Sequence, residues 1–153
     1  NLLGPGQDVD MVAGSWARQI ARIEQELDAP ILRVQALGAA RDFVDIRDAV
    51  RGYRSLVEKG QPGESYNIAS GDSTTLEQLL EIFQEFSRVP FDVEASVKAV
   101  EARDTDIPVL RGDSAKLRQL SGWQPRIDLK QSVLDMLGEQ RDIVSREIKI
   151  GMR

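Results

Sequence analysis

Cysteine and histidine are both missing from this chain of 153 residues. The absence of cysteine excludes disulfides, thiol nucleophiles and cysteine-ligated zinc. The absence of histidine excludes a Ser-His-Asp triad. A chain without disulfides is compatible with the reducing cytoplasm, and we therefore expect a cytoplasmic protein.

Long apolar runs are missing as well, since none approaches the ~20 residues that a bilayer-spanning helix needs. Residues 1–6 lack the basic and apolar regions of a secretory signal. The net charge is −5, and lysine and arginine are interspersed among the acids. A nucleic-acid-binding protein would present a basic stripe instead, so we expect neither a nucleic-acid nor a membrane partner. A few converging arginines can still bind a small anion.

Helical periodicity dominates what is present. It predicts helices over 8–27 and 46–58, a helix after the Thr-Thr-Leu-Glu capping box at 74–77, a short helix over 114–120 and a last helix from Asp128. Short strands are predicted at 31–34, 65–69 and 91–93. These elements indicate a small α/β or α+β domain, with too few strands for an independent doubly wound sheet.

Individual positions are assigned from the same patterns. Asp8 or Asp10 is expected to cap the first helix, and Asp45 the second. Glu24 is expected on a solvated face of the first helix. Trp16 and Trp123 are expected in the core. The predicted buried stripe of the second helix consists of Ile46, Val50, Tyr53 and Val57.

Three segments carry more specific information, because they occur in a fixed order. Residues 1–7 read Asn-Leu-Leu-Gly-Pro-Gly-Gln, residues 41–53 begin Arg-Asp-Phe-Val-Asp, and residues 66–71 read Tyr-Asn-Ile-Ala-Ser-Gly. Residues 17–21, 106–113 and 122–125 add further matches. Together they resemble the C-terminal half of an extended short-chain dehydrogenase/reductase that acts on a nucleotide sugar. The resemblance is closest to GDP-4-keto-6-deoxy-mannose reductases and GDP-mannose 4,6-dehydratases.

This resemblance implies an α/β fold: a small helix-rich C-terminal lobe with short strands, lacking the N-terminal Rossmann sheet of the family. Residues 1–144 would form the substrate-binding lobe, and residues 145–153 a basic tail of uncertain order. The chain would thus be a truncated or excised part of a longer enzyme.

Two motifs that such an enzyme needs are absent. Neither Gly4–Gly6 nor Gly60–Gly63 continues into the Gly-x-x-Gly-x-x-Gly turn that binds a cofactor pyrophosphate. The catalytic Tyr-x-x-x-Lys pair is missing too, because Tyr53 is followed by Val57 and Tyr66 by Ser70 at that spacing. We therefore expect no catalytic residue and no cofactor site in this chain. In the intact family NAD(P) belongs to the N-terminal half, so whether this chain is an enzyme stays open.

The resemblance also implies a set of residues that would bind the nucleotide sugar. Arg41 and Arg103 would bind the pyrophosphate, and Asp106 would accept a hydrogen bond from a ribose hydroxyl. Asn1 would contact the sugar-phosphate region, and Gln35 is placed near the base.

The assignments other than that of Gln35 have structural alternatives. Arg41 would instead pair with Asp42 or Asp45 in a loop, and Asn1 would be a frayed terminus. The segment with Arg103 and Asp106 would be a solvated charged loop, and it carries Asp104 where the family has proline.

Two functions remain open from the sequence. In the first, the chain is the substrate-binding half of a GDP-sugar reductase or dehydratase. It would bind a nucleoside diphosphate sugar, be inactive alone and pair with an N-terminal Rossmann half. In the second, it is a gene fragment that acts as a non-enzymatic, self-associating interaction module. In that case surfaces that once packed on the Rossmann half, such as the stripe of the second helix, would be exposed and would favour a homo-oligomer.

Overall fold

The computed structural model describes residues 1–34, 37–95 and 107–151. The helices in these ranges are α1 (Val12–Ile23), α2 (Ile46–Lys59), α3 (Leu76–Phe86), α4 (Ala115–Ser121) and α5 (Leu129–Lys149). The strands are β1 (Leu2–Leu3), β2 (Ile31–Val34), β3 (Ala40–Arg41), β4 (Val44–Asp45), β5 (Thr74–Thr75), β6 (Asp92–Ala95) and β7 (Val109–Leu110). None of these helices combines the length and hydropathy that crossing a bilayer would require.

The strands form three small sheets instead of one large one. β1 pairs with β4 and β2 pairs with β6, both in parallel. In the third sheet β3 is central, parallel to β7 and antiparallel to β5. The predicted fold class, a helix-rich α/β lobe with short strands, is confirmed.

The main core lies where α1 packs along α5, with α3 and β2 closing it. Trp16 and Phe83 meet edge to face, with ring centroids 5.8 Å apart. Both residues are almost completely buried, and burying side chains of this kind stabilises a fold by about 1.5–3 kcal/mol each. A second, smaller cluster joins α2 to α4 through Trp123 and Leu117.

Helix α1 is shorter than the predicted span of 8–27, and the prediction of an aspartate cap is wrong. Met11 occupies the N-cap position without a side-chain hydrogen bond. Asp8 instead accepts a hydrogen bond from the backbone N–H of Asp10, which forms a local turn before the helix. At the other end, Glu26 adopts a positive φ of 55°, which ends the helical path.

The side chain of Glu24 is buried, contrary to the expectation of a solvated face. Its carboxylate accepts from Nε and Nη2 of Arg141 at 2.7 Å each, and its side chain is 2% exposed. It also accepts from the backbone N–H of Arg88, and Arg141 donates to the carbonyl of Phe86. The pair therefore joins α1, α5 and the end of α3, a contact that helical periodicity cannot reveal.

In α2, the predicted cap is confirmed and the predicted buried stripe is wrong. Asp45 is the N-cap and accepts from the N–H of Arg47. The residues of the stripe beyond Ile46 are exposed: Val50 by 56%, Tyr53 by 54% and Val57 by 89%. The buried residues of α2 are Asp48, Ala49 and Gly52. Small side chains allow α2 to approach the indole of Trp123 and the side chain of Ile68 closely, so the bulky stripe faces outwards.

Asp48 connects α2 to the segment between α4 and α5. Its carboxylate accepts from the backbone N–H groups of Arg126 and Ile127, at 2.7 and 2.9 Å, and pairs with Arg51. Burial alone would raise the pKa of Asp48. The hydrogen bonds from Arg51 and the two amides outweigh burial, and the pKa lies below its ordinary value.

The remaining helix starts are close to prediction. The capping box of α3 is formed by Thr75 and Gln78, one residue later than predicted. Asp128 caps α5 as expected. That helix continues to Lys149, and Glu147 near its end pairs with Arg18 at 2.6 Å. Five residues of the 145–153 segment are therefore helical.

Two glycines inside helices provide a matched test of packing. A Cβ on Gly14 would lie 2.2 Å from the carbonyl oxygen of Asp8, whereas a Cβ on Gly138 would meet nothing within 4 Å. We expect Gly14→Ala to lower the free energy of unfolding by about 2 kcal/mol, because backbone must move to relieve the clash. Gly138→Ala should raise it by about 0.5–1 kcal/mol through helix propensity. Urea unfolding of both variants checks this, and equal effects would contradict it.

Asp48 predicts a pH-dependent contribution to stability. Because its folded pKa is lowered, the contribution is present above the unfolded value of about 3.9 and is lost as the pH falls through the folded value. Asp48→Asn should lower the free energy of unfolding by about 3 kcal/mol at neutral pH. The loss should shrink towards about pH 3. The exposed Asp142→Asn is the control, with no change at either pH. An equal loss for Asp48→Asn at both pH values would contradict the prediction.

Candidate functional site

Arg41 lies on the central strand of the three-stranded sheet. In β3, Ala40 is opposite Val109 of β7 and Thr75 of β5, and Arg41 is opposite Leu110 and Thr74. The N–H of Ala40 also donates to the carbonyl of Pro108, at 2.8 Å. Strands on both sides therefore hold the backbone of Arg41 in place.

The guanidinium of Arg41 is held by carbonyl oxygens. Its Nη1 donates to the carbonyls of Ala40 and Ile107, at 2.9 and 2.8 Å. Among the described residues neither Asp42 nor Asp45 pairs with it, so the predicted structural alternative is wrong in its partners. Nε and Nη2 donate to no described residue. This edge carries three N–H groups, and it is the edge that binds an oxyanion side-on with two parallel hydrogen bonds.

Asp42, the next residue, ties two loops to β3. Its side chain accepts from the backbone N–H groups of Ser70, Gly71 and Gly112, at 2.8, 3.0 and 3.1 Å. It also accepts from the hydroxyl of Ser70, at 2.7 Å. Burial would raise the pKa of Asp42, but these hydrogen bonds lower it below the ordinary value, so the carboxylate stays ionised at neutral pH.

Asn1 lies against the same region. Its amino group donates to the carbonyl of Asp42 at 2.7 Å, and its own carbonyl accepts from the N–H of Val44. The structure thus brings two of the five predicted binding residues, Asn1 and Arg41, to adjacent points of the fold.

Gln35, Arg103 and Asp106 lie outside the described residues. Gln35 is the first residue after β2, and Arg103 and Asp106 belong to the stretch between β6 and Ile107. β2 and β6 are parallel, with Val34 opposite Ala95 at their carboxyl ends.

Two arginines that sequence reasoning missed border a cavity of about 550 Å³, which the loop residues Ser70, Gly71 and Gly112 also line. Arg118 donates to the carbonyl of Ser70 at 2.9 Å, and Arg111 donates to that of Gly71. Asp72 and Asp113 border the same cavity, so its charge is mixed. The sequence does contain a signal for Arg111, which lies directly before Gly112-Asp113 in a segment that resembles the family. Arg111 occupies a variable position of that segment, so the resemblance implies no role for it.

A groove of about 540 Å³ lies next to Asn1. It is lined by Asn1, Leu2, Asp42, Tyr53, Tyr66, Asn67, Ile68, Ala69, Leu110, Arg111 and Gly112.

Tyr66 of this groove contacts a lysine through its ring. Lys116 lies over the ring of Tyr66, 4.5 Å from its centroid, and its ammonium pairs with Glu64 at 2.6 Å. The hydroxyl of Tyr66 accepts from the N–H of Gln61 at 3.3 Å. The described residues also hold no group of three or more acidic side chains placed to bind a metal ion. Among the described residues, Arg41 has an edge of three N–H groups without a described acceptor.

Comparisons with known proteins show which family and which relatives this chain resembles. The family model for GDP-mannose 4,6 dehydratase matches residues 1–136. Among curated proteins, the GDP-6-deoxy-D-mannose reductase of Pseudomonas aeruginosa is 34% identical over 150 residues, covering 96% of this chain and 48% of the relative. The dTDP-6-deoxy-L-talose 4-dehydrogenase of Kitasatospora kifunensis is 26% identical, covering 89% of this chain and 42% of the relative.

The chain also resembles solved structures. The structure of RMD from Pseudomonas aeruginosa complexed with NADPH aligns with a TM-score of 0.85 and 33% identity, covering 94% of this chain and 46% of that one. A putative epimerase from Burkholderia cenocepacia aligns with a TM-score of 0.78 and 25% identity.

The chain spans about half the length of the relatives that it matches. The chain therefore belongs to the GDP-mannose 4,6 dehydratase family and corresponds to the C-terminal half of an extended short-chain dehydrogenase/reductase.

Proposed function

We propose that this chain is the substrate-binding half of an NAD(P)-dependent reductase or dehydratase acting on a GDP-sugar. It binds the nucleoside diphosphate through Arg41 and Arg103 and positions the sugar, while the N-terminal half supplies NAD(P) and the catalytic residues. Asn1, Gln35 and Asp106 complete the binding set.

The observation that carries this proposal is the contact between Arg41 and the carbonyl of Ile107, at 2.8 Å. Asp106 is the residue directly before Ile107, and Arg103 is three residues before Asp106. The hydrogen bond from Arg41 therefore ends at Ile107, the residue that directly follows the segment with Arg103 and Asp106. Two arginines can share one diphosphate when their guanidinium groups converge, and this proximity along the chain supports that role.

The parallel pair of β2 and β6 supports the same site. In open α/β sheets, ligands bind in the crevice beyond the carboxyl ends of parallel strands. Here the carboxyl end of β2 leads to Gln35, and that of β6 leads towards Arg103 and Asp106. Gln35, Arg103 and Asp106 therefore all belong to the segments that follow these two carboxyl ends in the sequence.

The preference for a guanine nucleotide rests on the relatives. The Pseudomonas aeruginosa relative acts on a GDP-sugar, and the more distant Kitasatospora kifunensis relative on a dTDP-sugar. Binding to the isolated half should be weak, because the other half contributes the opposite wall of the cleft.

Calorimetry tests the binding proposal. We expect GDP to bind more tightly than UDP, and Arg41→Gln or Arg103→Gln to weaken GDP binding by roughly tenfold to a hundredfold, the effect of losing a charged hydrogen bond of about 1.5–3 kcal/mol. Arg54→Gln is the matched control, since Arg54 lies exposed on α2 and pairs with no carboxylate but Glu58 among the residues that the structure describes.

The absence of heat with both nucleotides would remove the binding claim. An equal loss of affinity in the Arg54→Gln control would show that general charge, and not the site at Arg41, attracts the nucleotide.

Turnover tests the division of labour between the halves. The chain alone should not consume NADPH or NADH in the presence of a GDP-4-keto-6-deoxy sugar, because Tyr53 and Tyr66 lack the lysine four residues later. Addition of a matching N-terminal half should restore consumption of the reduced cofactor. Turnover by the chain alone, followed as loss of NADPH absorbance, would contradict the proposal.

A further inference from the structure

Arg111 and Arg118 are held by two consecutive carbonyl groups of one loop. Nη2 of Arg118 donates to the carbonyl of Ser70 at 2.9 Å, and Nε of Arg111 donates to that of Gly71. The segment before this loop, 65–69, does not form its predicted strand within the described parts of the chain. Neither arginine pairs with a carboxylate among the described residues, although both border the cavity of about 550 Å³.

The loop that holds these arginines is itself fixed. The backbone N–H groups of Ser70 and Gly71 donate to the buried carboxylate of Asp42, at 2.8 and 3.0 Å. Arg118 has a further anchor, since its Nε donates at 3.1 Å to the hydroxyl of Ser114, a residue that is 2% exposed. The guanidinium groups are thus oriented before a ligand arrives, which reduces the entropy that binding costs.

The remaining N–H groups of the two guanidinium groups are available to a ligand. Nη1 and Nη2 of Arg111, and Nη1 of Arg118, donate to no described residue, and both arginines are exposed. Two arginine forks that share one oxyanion suit a phosphate group, whose oxygens accept several charged hydrogen bonds. Among the described residues that line this cavity, neither Asn1 nor Arg41 is found, so it differs from the site proposed at Arg41.

Two aspartates that line the same cavity narrow the class of ligand. Asp113 accepts a hydrogen bond from the N–H of Ala115 at 2.8 Å, and the carboxylate of Asp72 accepts from no described residue. Carboxylates repel a small dianion such as inorganic phosphate. They accept hydrogen bonds from the hydroxyl groups of a larger ligand. The mixed lining therefore favours a ligand with a phosphate at one end and hydroxyl groups at the other.

We propose that this cavity is a second binding site, which takes a phosphate monoester carrying several hydroxyl groups, that is, a sugar phosphate. Arg111 and Arg118 bind its phosphate, and its hydroxyl groups donate to Asp72 and Asp113. The cavity volume of about 550 Å³ lies within the range of roughly 300–1,000 Å³ that is typical of small-molecule sites. The site goes beyond the proposed function and does not depend on it.

Titration of this chain with glucose 6-phosphate at low ionic strength tests the proposal, followed through the NMR signals of the backbone amides. We expect the signals of Gly71 and Gly112 to shift, because both residues line the cavity. Arg111→Gln and Arg118→Gln should each weaken binding by roughly tenfold or more, the effect of losing charged hydrogen bonds. Arg54→Gln is again the control, and it should leave the affinity unchanged.

Asp72→Asn distinguishes a sugar phosphate from simple attraction of anions. The change removes a negative charge, so it should tighten the binding of inorganic phosphate. It also replaces a charged acceptor of hydroxyl groups by a neutral amide. We therefore expect the preference for glucose 6-phosphate over inorganic phosphate to fall by roughly tenfold. The exposed Asp142→Asn is the control, with an unchanged preference.

Unshifted signals of Gly71 and Gly112 at saturating glucose 6-phosphate would overturn the proposal. A preference that Asp72→Asn leaves unchanged would also overturn it, because it would indicate attraction of any anion. Arg41→Gln separates this site from the nucleotide site, since it should not affect the binding of glucose 6-phosphate. A loss in Arg41→Gln as large as that in Arg118→Gln would assign the sugar phosphate to the nucleotide site and reject the second site. Calorimetry with GDP tests the nucleotide site independently, so the two proposals fail separately.

Discussion

The buried carboxylate of Asp42 is the interaction on which the site depends. Three backbone N–H groups and one hydroxyl from two distant loops donate hydrogen bonds to it. The backbone carbonyl of Asp42 accepts a further hydrogen bond from the amino group of Asn1. A carboxylate with this many donors can remain charged in a buried position, because the hydrogen bonds replace its lost hydration. The loops at 70–72 and 111–112 are therefore fixed relative to β3, and Arg41 is fixed with them.

Arg41 differs from the arginines of this chain that pair with carboxylates. Arg18, Arg47, Arg51 and Arg141 all pair with carboxylates, which neutralise them. Arg41 is oriented by two carbonyl dipoles instead. Its direction is set while its charge stays uncompensated by any described carboxylate, and in a chain with a net charge of −5 such a site concentrates positive potential locally.

Local sequence signals succeeded for the caps of α2 and α5. Asp45 and Asp128 were predicted as helix caps because a cap bonds to an amide two or three positions ahead. The same reasoning failed for α2 as a whole. The pattern of its bulky apolar residues predicts that they face the core. The side that packs instead carries Ala49 and Gly52, whose small size permits the neighbouring side chains to approach the helix closely. Periodicity identifies an apolar face, and it does not reveal whether that face meets this chain or a partner.

The sequence by itself determined the family, the helical framework, the absence of a Gly-rich turn and of a Tyr-x-x-x-Lys pair, and the candidate arginine next to Asp42. These follow from residue order and short-range chemistry. Only the tertiary structure decided that Arg41 turns to the carbonyl of Ile107, that Glu24 is buried against Arg141, and that the stripe of α2 faces outwards. Each of these depends on segments far apart in the chain that come together only on folding, and no local pattern encodes which distant group will fill a given position.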